Sequence, residues 1–164
     1  MRTRSRTVYF IIAMVILGCG APKTADELWN SATNNINQRN YRDAIKALDK
    51  LVANFPDSPL APQAIFRLGD VYMNKTNEIE LAIEMFRKTI TNYPDSEEGV
   101  KSLFMVGFVS ANYLNDLELA EQAYNEFLET FPNHELVSSV KFELKNLGRP
   151  VEEIEELRDV VDVD

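Results

Sequence analysis

Three prolines, Pro56, Pro94 and Pro132, stand 38 residues apart in both intervals, and each follows an aromatic residue, Phe55, Tyr93 or Phe131. The phrase NFPDS (54–58) returns as NYPDS (92–96) with only its aromatic changed, and a third copy has drifted to FPNH (131–134). A fixed period of that size marks a repeat architecture, in which one supersecondary unit stacks on copies of itself. A unit that cannot bury its apolar face alone is stable only against a neighbour, so the period dictates an array with capped ends.

Between these joints the apolar residues recur at helical spacing, as in Ala44, Leu48, Leu51 and Phe55, or Ala82, Phe86 and Ile90. No alternating β-branched segment competes with this pattern. Helices are predicted over 25–38, 41–54, 60–74, 78–92, 97–113, 116–130 and 134–147, with a weaker acidic helix after Pro150. Thr24 and Glu27 form a T-x-x-E capping box for the first. Asn77 with Glu80, Asn115 with Glu118, and Asn40 with Asp43 in a turn one residue shorter, read as N-caps with an acid in the first turn. In the NFPDS and NYPDS joints the aromatic closes a core, the proline stops one helix, and the Asp and Ser open the next.

The second period supplies Ile65, Leu68, Gly69, Tyr72, Ala82, Phe86 and Pro94, where the tetratricopeptide repeat has W-x₂-L-G-x₂-Y, A-x₃-F and P. The third gives Leu103, Val106, Gly107, Ser110, Ala120, Tyr124 and Pro132, and the first gives Leu28, Ser31, Ala32, Asn35, Ala44, Leu48 and Pro56. The chain therefore resembles the tetratricopeptide repeat family over residues 25–147. That resemblance implies an all-α fold, a right-handed superhelical solenoid of three helical hairpins (about 25–58, 59–96 and 97–133) with a capping helix at 134–147. Small residues at Ala32, Gly69 and Gly107, with Ala44, Ala82 and Ala120, remove bulk where the two helices of a hairpin press together. In this family the first helix of each hairpin lines the concave face. The resemblance thus implies a peptide groove at Gln63, Phe66, Asp70 and Met73, then Lys101, Phe104, Phe108 and Ala111. Phe66 and Phe104 suit either the groove or the core between repeats.

Residues 1–18 carry Arg2, Arg4 and Arg6 and then the apolar run VYFIIAMVIL (8–17), the layout of a secretory signal peptide. The run is about half of what a helix needs to cross a bilayer. ILGC (16–19) resembles a bacterial lipobox, which implies cleavage before Cys19 and lipidation of that residue, with 19–24 as a short linker; the other reading is an uncleaved anchor with an incidental cysteine. Gly20 in the following position implies outer-membrane sorting, facing the periplasm. Cys19 is the only cysteine, so no internal disulfide is available. Removing the three arginines takes the net charge from −9 to −12. The acidic tail 150–164 supplies seven acids and one arginine. Nucleic acid is an unsuitable partner for such a surface.

No Gly-rich phosphate loop, G-x-S-x-G or H-E-x-x-H is present. The only histidine, His134, has no second histidine to complete a metal site. Asp57 and Asp95 recur with the repeat and read as capping residues rather than a catalytic pair. No catalytic residue, cofactor or metal is expected. The 38-residue period and the YPDS joint are similar to the repeats of periplasmic envelope proteins: the BamD-like lipoproteins of the outer-membrane β-barrel assembly machinery and the CpoB-like division coordinators. The expected function is a non-enzymatic scaffold binding envelope proteins, among them the β-barrel assembly machinery or its substrates. The alternatives are a division or cell-wall coordinator of the Tol-Pal-associated type, or an accessory subunit presenting substrate to an envelope enzyme or transport complex.

Overall fold

A computed structural model describes residues 23–150 together with 153 and 154; the signal segment 1–18, Cys19 and nearly all of the acidic helix expected after Pro150 lie outside them. Among the described residues every regular element is helical: α1 (Ala25–Asn37), α2 (Tyr41–Asn54), α3 (Leu60–Val71), α4 (Ile79–Asn92), α5 (Glu97–Val109), α6 (Leu117–Thr130) and α7 (Val137–Lys145). Each helix packs on the next in chain order, which makes three hairpins and a terminal helix, a tetratricopeptide-like helical solenoid. Beyond these sequential pairs, α1 meets α3 and α3 meets α5, whereas α2, α4 and α6 make no comparable contacts with one another. The odd-numbered helices therefore converge, and theirs is the inner side of the stack.

The core runs through the array as two clusters. Leu28, Leu48, Leu51, Ile65 and Leu68 join the first two repeats. Phe86, Leu103, Val106, Tyr124, Phe127 and Val140 join the second, the third and α7. The small residues sit beneath large ones. A Cβ on Gly69 would come 2.6 Å from the Phe86 ring, and one on Gly107 would come 2.5 Å from the Tyr124 ring. Ala32, Ala44, Ala82 and Ala120 are likewise buried.

The capping box forms at α1, where Thr24 Oγ1 accepts from Glu27 N at 3.2 Å and Thr24 N donates to Glu27 Oε2 at 2.8 Å. The other turn expectations need correction. Asn77 and Asn115 are not N-caps; they are left-handed residues, with φ 58° and 53°, in the same role as Arg39 (φ 61°) in the first hairpin. Asn is among the few residues that tolerate this conformation. Nor does α3 run to 74 or α5 to 113, because residues Tyr72–Thr76 and Ser110–Leu114 are π-helical. The reason is the extra residue in these turns. In the first hairpin Asn40 N donates to Asn35 O, and in the others Glu78 N donates to Tyr72 O and Asp116 N to Ser110 O. The same closing bond spans one more residue, and widening the last turn absorbs it. The cap of α6 is then Asp116, whose Oδ1 accepts from Leu119 N at 3.0 Å, while Asn40 makes no side-chain cap bond at α2.

At the three joints the same backbone turn recurs, with Ser58, Ser96 and His134 N–H groups bonding to Phe55, Tyr93 and Phe131 carbonyls. The serines do the capping: Ser58 Oγ accepts from Leu60 N and Ser96 Oγ from Gly99 N. Asp57 and Asp95 make no such bond. His134 substitutes for the serine, with Nδ1 accepting from Leu136 N at 3.2 Å and its ring edge-on to Phe127. That local turn occupies 134–136, so α7 begins at Val137 rather than at 134.

The joints also touch one another. Tyr93 Oη donates to Pro56 O at 2.7 Å, tying the second joint to the first. Burial, and then the charge of Asp57, push the Tyr93 hydroxyl pKa up, so it remains a donor through the physiological range. Tyr93→Phe removes the bond while keeping the ring, and urea unfolding should show a loss of about 0.5–1.5 kcal/mol. No measurable loss would mean that the bond is exchanged for water at no cost.

Candidate peptide-binding groove

The eight groove positions expected from the sequence fall on the inner helices and the π-helical turns that follow them: Gln63, Phe66 and Asp70 on α3, Met73 after it, Lys101, Phe104 and Phe108 on α5, and Ala111 after that. Their spacing of three and four residues keeps each set on one helix face. Seven are half-buried; Met73, at 8% exposure, is part of the core cluster joining the second and third repeats and offers little to a ligand as packed.

Phe66 and Phe104 pack against the core and are only partly covered. The Phe66 ring stands 5.4 Å from the buried Phe86, and Phe104 stands 6.1 Å from the buried Tyr124. Each also keeps a half-exposed edge on the inner face. From Phe104 the aromatic surface continues to Phe108 at 6.2 Å and on to Tyr113 at 6.4 Å from Phe108, and Tyr113 is 47% exposed. Large aromatic area with restricted rotamers is well suited to anchoring a peptide.

Two residues extend the row beyond the expected set. Leu28 aligns with Ile65, and the same register puts Trp29 opposite Phe66; one repeat beyond Phe104 stands Phe142. Both are half-buried, so each odd-numbered helix contributes one aromatic at the equivalent position. The signal was present in the alignment, although α1 is offset by one residue from the 38-residue period.

Charge is placed beside this row. Arg67 Nη1 lies 3.6 Å from Asp70 Oδ2. Burial raises the Asp70 pKa, and Arg67 and then Lys75 oppose the rise. These three residues, with Ile36, border a cleft of about 330 Å³ where α1 meets α3. Lys101 bonds to Glu97 one turn earlier on α5, which holds the ammonium at the start of that helix.

Tyr124 stands under the row with its hydroxyl buried and without a protein hydrogen-bond partner. Burial, and then Glu143, push its pKa up, far above any working pH. An orphaned buried hydroxyl costs roughly 1–3 kcal/mol. Tyr124→Phe should therefore leave the thermal midpoint unchanged or raise it; a clear fall would reveal a partner for the hydroxyl. Among the described residues no three His, Cys, Asp or Glu side chains gather closely enough to hold a metal ion. Nor is any helix among them long and apolar enough to cross a membrane.

Stacked helical hairpins with an aromatic row along the inner face define a protein of the tetratricopeptide class, whose fold is a binding surface. Residues 21–147 match the family model YfiO, described as an outer membrane lipoprotein, and the chain belongs to that family. The match bears out the resemblance to BamD-like lipoproteins carried by the repeat motif. Among curated proteins none matches the chain.

Proposed function

We propose that this protein is a non-enzymatic, lipid-anchored scaffold that binds other envelope proteins from the periplasmic side of the outer membrane, in outer-membrane protein assembly or envelope maintenance. Residues 1–18 act as the signal peptide, Cys19 carries the lipid, and residues 20–24 tether the array within about 20 Å of the bilayer. Two or more acyl chains make such an anchor effectively permanent.

The observation that carries the reading is the aromatic row on the inner helices, from Trp29 through Phe66 and Phe104 to Phe142, with Arg67, Asp70 and Lys101 beside it. Apolar anchors give affinity, and single charges fix the direction of an extended or helical peptide. Membership of an outer membrane lipoprotein family supports the location.

The test is in-cell crosslinking of the lipid-anchored chain, comparing it with a Phe66→Ser, Phe104→Ser double variant. Components of the β-barrel assembly machinery or its substrates should be recovered with the parent chain and lost with the variant, while the midpoint of the purified variant falls only modestly. Recovery of the same partners by both chains would remove the groove from the proposal. Absence of assembly components altogether would remove the assembly role.

A further inference from the structure

We propose that the α1–α2 end of the array is a docking site for the acidic C-terminal segment, residues 155–164, of a second copy of this chain. The array has a crevice at its beginning, about 1020 Å³, between α1 and α2 on the side turned away from α3. The repeat itself says what such a crevice holds. Leu28 and Ala47, both nearly buried, form its floor, with Ser31 and the exposed Lys50 above them, and two repeats later their counterparts Leu103, Ala123, Val106 and Glu126 border the cleft in which α4 is seated, facing Arg87 and Ile90. At the inner junction the occupant is thus a helix with an apolar stripe. At the beginning of the array none of the described helices takes that place.

The charge of the host is inverted between the two positions. Glu126 borders the inner cleft with Arg87 across it, whereas Lys50 stands at the equivalent position of the first crevice, with Lys23 and Lys46 on the same rim. Asp43 is the single acid there, and it pairs with Lys46 at 3.1 Å, both side chains exposed. An occupant complementary to this rim is acidic with an apolar stripe. The sequence EELRDVVDVD (155–164) is such a segment: five acids, one arginine, and Leu157, Val160 and Val161 at helical spacing.

Where that segment begins decides which copy it reaches. Ile154, 5% exposed, is packed in the cleft of the α5–α6 turn and the end of α7, at the far end of the array from α1. Ten residues in helical form extend about 15 Å. That is less than the three spacings of roughly 8–10 Å that separate the odd-numbered helices from α1 to α7. The charge of the whole array points the same way, since residues 23–55 hold five basic and four acidic side chains, while residues 97–133 hold one and seven. The contact runs from the tail of one copy to the head of another.

The experiment mixes isotopically labelled and unlabelled full-length chain in detergent, applies a carbodiimide that joins amines to carboxylates, and identifies the linked peptides by mass. Mixed-label links between Lys46 or Lys50 and residues 155–164 are expected. A fluorescent peptide of residues 155–164 should bind the chain truncated after Ile154, and Lys46→Glu with Lys50→Glu should weaken that binding at least tenfold, with Lys141→Glu, exposed on α7, as the unaffected control. Asp159→Lys with Asp162→Lys in the peptide should restore binding to the lysine variant. Absence of mixed-label links, or equal peptide binding by the lysine variant of unchanged thermal midpoint, would overturn the proposal. Binding of anionic phosphatidylglycerol vesicles through these lysines, with no peptide binding, would overturn it in favour of a lipid surface.

Discussion

Replacing Phe86 with alanine is expected to lower stability by about 3–5 kcal/mol, the range for deleting a buried aromatic. The ring is fully buried, lies over Gly69 of its own hairpin, touches Phe66 on the inner face, and belongs to the cluster that joins the second and third repeats. Glycine below it cannot fill the space, so the cavity persists. Domains of this size are stable by roughly 5–15 kcal/mol in all, so a thermal midpoint lower by on the order of 10–20 °C should follow. In a stack each repeat leans on its neighbours, and the loss should broaden the transition as the middle repeat decouples from its flanks. Calorimetry reads both. A fall of only one or two degrees would mean that neighbouring side chains collapse into the gap and that Phe86 does not hold the junction.

Gly107→Ala is expected to cost about 1–3 kcal/mol, because the added methyl would meet the fully buried Tyr124 ring at 2.5 Å. The first repeat shows how the array accommodates such a methyl. At the equivalent positions it has Ala32 opposite Leu48, both buried, in place of glycine opposite an aromatic. Small and large thus vary together through the array. Adding Tyr124→Leu to Gly107→Ala copies the pair of the first repeat, and part of the loss should return, a favourable coupling of about 0.5–3 kcal/mol in a double-mutant cycle. Strictly additive losses from the two substitutions would show that the pair is not the unit of packing.

Over the described residues, helix number, order and hairpin pairing were legible in the sequence because each rests on a local pattern repeated three times. The apolar spacing of Ala82, Phe86 and Ile90 reports one buried face, and the joint at Phe55, Tyr93 and Phe131 reports where each hairpin ends. The π-helical turns were not legible, since one extra residue between Tyr72 and Glu78 is compatible with a longer loop, a left-handed cap or a widened helix. Backbone closure onto the Tyr72 carbonyl selects the last of these. Asn77 was misplaced by the same ambiguity, because asparagine suits both an N-cap and a left-handed turn. Of the groove, the helix faces were legible and the depth was not: Met73 has the right spacing, yet Ala82 and Phe86 of the next helix are part of the cluster that encloses it.

The hydroxyl at residue 93 has a mechanical consequence. Tyr93 latches the first joint to the second through the Pro56 carbonyl, whereas Phe131, at the same place one repeat later, has no hydroxyl with which to latch the second joint to the third. The two junctions are therefore held by different means: a hydrogen bond from joint to joint reinforces the first, whereas the second is held by the packing of Phe86, Leu103 and Tyr124.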